Sequence, residues 1–101
     1  MAKSKPFDAS KYLTDEADVA AYVAEAFRTN DTEHIAHAIG VAAKARGMTR
    51  IAEISGLSRE SLYRALSADG APQFETIQKV LSALGLRLTV EIAGSDKSEA
   101  A

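Results

Sequence analysis

The chain is 101 residues long, with 47% apolar and 26% charged residues, a formal net charge of -2, and neither cysteine nor tryptophan. A chain of this length suits one hydrophobic core, which buries roughly two thirds of the unfolded surface without a disulfide or metal cage, and the lack of cysteine excludes disulfide frameworks, thiolate metal sites and cysteine nucleophiles. No window reaches the roughly 18 consecutive apolar residues of a membrane span, and the lysines of MAKSKPFDASKY precede no apolar stretch, so a cytoplasmic protein without membrane association is expected.

Residues 1–13 show no periodicity and are expected to form a flexible arm, ahead of a single domain over 14–92 and a disordered tail over 93–101. Thr14 is expected to cap a first helix running to Arg28, with Asp15, Glu16 and Asp18 favoured at the positive end of its dipole. The spacing of Val19, Tyr22, Val23, Ala26 and Phe27 makes one buried stripe. Asn30 or Asp31 caps a second helix, which buries Ile35, Ala38, Ile39, Ala42 and Ala43, carries Lys44 and Arg46 in its last turn, and stops at Gly47.

Thr49 reads as the cap of a short third helix, RIAEIS, closed by Gly56, and Ser58 as the cap of a fourth, RESLYRALS, closed by Asp69-Gly70 and Pro72. A fifth helix, Phe74 to Leu84, is expected to bury Phe74, Ile77, Val80, Leu81 and Leu84 before Gly85. The period then changes: Leu86, Leu88, Val90 and Ile92 alternate with Arg87, Thr89 and Glu91, which predicts a C-terminal β-strand. The expected fold is therefore mainly α, five helices with one C-terminal strand. A lone strand favours pairing with another chain or with the N-terminal arm.

Charge is unevenly spread. Asp8 to Glu33 carries a net -5, whereas Lys44 to Arg64 carries +3, a local balance that suits a polyanion even though the whole chain is acidic. Within that basic window, Ala52 is small enough for two helices to approach, Gly56 suits a tight turn, Leu57 plugs the corner, and Leu62 and Ala65 face inward. Ser55 stands where an apolar residue is more usual before the turn glycine, and the neighbouring Ile54 is expected to take that role. This is the spacing of a helix-turn-helix, whose second helix presents polar groups to base edges and arginines to guanine or phosphate.

The DNA-contacting candidates follow from that geometry. Arg59 and Arg64 come first, because a guanidinium fork binds guanine or clamps phosphate. Ser58 and Ser61 reach phosphate or base, Tyr63 stacks or bonds at the backbone, and Glu60 accepts from cytosine or repels wrong sequences. Thr49 and Arg50 lie at a helix N-terminus that favours phosphate. One such unit reads only about four to six base pairs, so a homodimer on palindromic double-stranded DNA is expected.

Thr49 to Leu84 resembles the helix-turn-helix of the lambda-repressor and Cro (XRE) superfamily, with PQFETIQKVLSALG similar to its closing helix. Tyr12-Leu13, the RGMTRIAEISGLSRESLYRALS run and the ALGLRLTVEI end together resemble the addiction-module antidote family, the HigA-like antitoxins of type II toxin-antitoxin pairs. That resemblance implies a five-helix lambda-repressor-like DNA-binding domain, operator binding with autorepression, and neutralisation of a co-encoded RelE/ParE-type toxin by direct contact. A basic toxin would meet the acidic first two helices and the N-terminal arm. The alternative is a stand-alone or phage-type regulator without a toxin. His34 and His37 share a helix face, but nothing completes a metal site. No nucleophile-base pair, phosphate-cradling glycine loop or paired-carboxylate cleft can be assembled, so neither an enzyme nor a cofactor is expected.

Overall fold

The computed structural model describes residues 9–67 and 70–94. A 3-10 turn, Ala9–Tyr12, leads into five helices: α1 (Glu16–Arg28), α2 (Thr32–Arg46), α3 (Met48–Ser55), α4 (Arg59–Ala65) and α5 (Phe74–Ala83). The alanine-rich α2 is central, packing on α1, α3, α5 and the N-terminal turn, while α3 also packs on α4 and α5. Ala36, Ala38, Ala42 and Ala43 are buried on it, small enough to let neighbours approach closely, and Ile39 is fully enclosed. Val19 of α1, Ile51 of α3, Leu62 of α4 and Val80 of α5 complete the core. No helix among the described residues is long and apolar enough to cross a membrane.

Local chemistry explains where the helices begin. The cap of α1 is Asp15, not Thr14: its carboxylate accepts from the Asp18 backbone N–H at 2.9 Å. Thr14 serves the next acid instead, its backbone N–H and hydroxyl donating to Asp18 Oδ2 at 3.0 and 2.9 Å. These two bonds, the backbone one first, hold the Asp18 carboxyl below its ordinary range. A lowered folded-state value stabilises α1 above the ordinary carboxylate pKa, and that contribution disappears as pH falls through the lowered value. The stability gap between the wild type and Asp18→Asn, measured by circular dichroism during urea unfolding, is therefore expected to shrink below about pH 4.

Asp31 caps α2, accepting from the Glu33 and His34 amides at 3.1 and 3.3 Å. Asn30 instead takes the left-handed turn between the helices, at φ 58°. Gly47 at φ 101° ends α2 and also opens α3, so Thr49 sits inside the first turn of α3 and caps nothing. Helix α5 opens without a side-chain cap and buries Val80 and Leu81, with Leu84 enclosed just beyond its end. Phe74, expected in the core, is 68% exposed at its start.

The expected C-terminal strand does not form, and no strand occurs among the described residues. Gly85 at φ 83° closes α5, its amide donating to the Ser82 carbonyl while the Leu86 amide donates to the Leu81 carbonyl, a Schellman ending. The chain then leaves as an extended run in which Leu86 and Leu88 pack against the core while Val90 and Ile92 are 91% and 79% exposed. Alternating hydrophobicity registered one-sided burial; a strand also needs a neighbour for its backbone groups, and the described residues supply none. Residues 1–8, which hold most of the expected arm, residues 95–101 of the expected tail, and Asp69 of the expected turn lie outside the described residues.

Candidate nucleic-acid interface

Helices α3 and α4 meet through Gly56, Leu57 and Ser58. Gly56 adopts φ 80°, a left-handed conformation in which a side chain is strained. Ser55 departs from the expected apolar residue for a reason visible in its bonds: its hydroxyl donates to the Ala52 carbonyl at 3.2 Å and accepts from the Leu57 amide at 3.3 Å. It ties the end of α3 to the turn. Ile54 does not take the apolar role and is 56% exposed. The bracing from inside comes from Ala52, buried on α3, and from Leu62, wholly enclosed on α4.

That bracing turns one polar face of α4 outward. Ser58 caps the helix, accepting from the Ser61 amide at 3.0 Å and donating to the Ser61 hydroxyl at 2.9 Å, so both serines already serve the first turn. Arg59, Glu60, Tyr63 and Arg64 are exposed, and they pair one helical turn apart. The Arg59 guanidinium lies 5.8 Å from the Tyr63 ring centroid and donates to its hydroxyl at 3.4 Å. Arg64 meets Glu60 at 3.7 Å, with both side chains more than two thirds in solvent. Pairs this exposed contribute little to stability, and a polyanion can displace them cheaply. Thr49 and Arg50 are exposed in the first turn of α3. Six of the eight expected DNA-contacting residues thus belong to α4 and its cap, and two to α3.

Other groups fall outside this face. His34 and His37 are exposed on α2, and no cluster of three metal-ligating side chains occurs among the described residues. A groove of about 470 Å³ between α1 and the extended run, lined by Ala20, Ala24, Phe27, Leu88 and Val90 among others, was not anticipated. The signal for it lay in the alternation itself, which continues to Val90 and Ile92 after Leu88 has reached the core.

The probable addiction module antidote family matches residues 3–92, and the chain belongs to that family. Its members are antidotes, the antitoxin halves of toxin-antitoxin pairs, a class that implies a toxin partner. An uncharacterized protein of Haemophilus influenzae strain Rd is 42% identical over 87 residues, covering 86% of this chain and 90% of its own length. No solved structure matches the chain.

Proposed function

We propose that this antitoxin binds double-stranded operator DNA as a homodimer, represses its own operon, and neutralises a co-encoded RelE/ParE-type toxin by direct contact in the cytoplasm. The observation supporting the DNA reading is the outward face of α4, where Arg59, Glu60, Tyr63 and Arg64 project from a helix anchored by the enclosed Leu62. Arg59 and Arg64 contact guanine or phosphate in the major groove, Tyr63 and Glu60 modulate that contact, and Thr49 and Arg50 reach the flanking phosphates with Ser58 and Ser61 close by. On this reading the domain belongs with the lambda-repressor (XRE) helix-turn-helix group and the chain with the HigA-like antitoxins.

Fluorescence anisotropy of the chain against its own upstream DNA and a scrambled duplex, at two salt concentrations, tests this. Tight binding confined to the upstream DNA is expected, and equal, weak, salt-sensitive binding to both duplexes overturns the reading. For the toxin, the acidity of α1 and α2 suits a basic surface. Asp15 and Asp31 are committed to helix caps and Asp18 to Thr14, so the informative reversals are the exposed Glu25→Lys and Glu33→Lys. Together they are expected to weaken the toxin complex about tenfold while sparing operator binding; unchanged toxin affinity removes the acidic face from the toxin contact.

A further inference from the structure

The extended run 86–92 is the part of the fold with the least internal support. Past the Leu86 amide, no backbone-backbone hydrogen bond joins residues 87–94 to the rest of the described chain. Val90 and Ile92 continue the apolar face of Leu86 and Leu88 but stand almost wholly in solvent. Beside them lies the apolar groove whose far wall is Ala20, Ala24 and Phe27 of α1. Unpaired backbone, exposed apolar side chains and an unfilled groove in one place mark an interaction surface.

The side chains along the run identify what fits it. About Thr89 the sequence is complementary to its own reverse: Arg87 precedes it by two residues and Glu91 follows it by two, while Leu88 and Val90 flank it directly. We infer that a second copy of this chain is the occupant, its run 86–92 lying antiparallel to the first about a two-fold axis at Thr89. In that register Arg87 faces the second copy's Glu91, and Glu91 faces the second copy's Arg87, so the two-fold axis creates both ion pairs at once. Leu88 faces the second copy's Val90, and Leu86 the second copy's Ile92. The second copy's apolar side chains then enter the space beside Ala20 and Ala24, and the two backbones satisfy each other's amides and carbonyls. Glu91 remains exposed although it accepts from Arg28 Nε at 3.3 Å, so its carboxylate can take a second cation.

This interface gives the proposed operator-binding homodimer its geometry and rests on that reading for its purpose, yet it can be tested without DNA. Sedimentation equilibrium of the full chain is the measurement. The wild type is expected to dimerise, and Arg87→Glu alone or Glu91→Arg alone, each placing two like-charge pairs across the axis, is expected to weaken the dimer about tenfold. Mixing the two variants restores opposite charges at both positions, so a heterodimer of near wild-type affinity is expected, as is recovery in the double swap Arg87→Glu/Glu91→Arg. Val90→Lys weakens association by setting a charge against the second copy's Leu88. A monomeric wild type, or a dimer indifferent to all four changes, overturns the inference; a monomer that still prefers its upstream DNA does so while leaving the role of α4 intact. A dimer that responds to the charge changes but shows no operator preference supports this interface and overturns the DNA reading instead.

Discussion

Truncating Leu62 to alanine is expected to destabilise the fold by about 3 kcal/mol, within the range for deleting an enclosed leucine side chain. Leu62 is 0% exposed and lies in the same cluster as Val19, Ile39, Ile51 and Val80, so it joins α4 to the core shared with the other four helices. The cost combines the lost transfer of the side chain from water with the cavity that a close-packed core cannot fully collapse into. A domain of this size has only about 5–15 kcal/mol of net stability, so the loss is visible as a lower urea midpoint with an unchanged slope. Ile54→Ala is the matched control. Ile54 is 56% exposed on α3, and its truncation is expected to shift stability by about 0.5 kcal/mol. Equal effects at the two positions would mean that α4 is not anchored through Leu62.

The second large effect concerns recognition. Arg59→Ala with Arg64→Ala is expected to raise the dissociation constant for the upstream duplex by about a hundredfold, since each guanidinium that reads a base or phosphate contributes about 1–3 kcal/mol. Folding is expected to be almost unaffected, because both arginines are exposed and their partners, Tyr63 and Glu60, are exposed surface groups too. Circular dichroism and the urea midpoint check that separation, and anisotropy at two salt concentrations divides the loss. A flatter salt dependence assigns the arginines to phosphate, whereas lost preference over the scrambled duplex at an unchanged salt slope assigns them to bases. Binding indistinguishable from wild type would falsify the role of α4.

Most helices are readable from the chain because each needs only local information. The stripe Val19, Val23, Ala26 and the turn at Gly56 report their own surroundings within one or two turns of backbone. The cap Ser58 is of the same kind, since its partner is three residues away. Sequence reading falters where two local solutions compete. Thr14 and Asp15 both suit a cap, and the structure chooses Asp15 because Thr14 is drawn to Asp18. At Thr49 the preceding Gly47, at φ 101° and ψ 110°, already begins the helix. Ser55 replaces an apolar contact with two hydrogen bonds, a solution that spacing of hydrophobic residues cannot announce.

Pattern along the chain was thus enough for the five helices, the turn between α3 and α4, and the polar character of the residues on α4, since periodicity and glycine placement are short-range properties. Packing was needed to decide that Phe74 and Ile54 stay in solvent, that Leu86 and Leu88 reach the core while Val90 and Ile92 overrun it, and that a groove opens beside α1. Burial depends on how far the opposing helices extend, and a strand depends on a neighbour. Both are facts about other parts of the molecule, which no alternation within seven residues can contain.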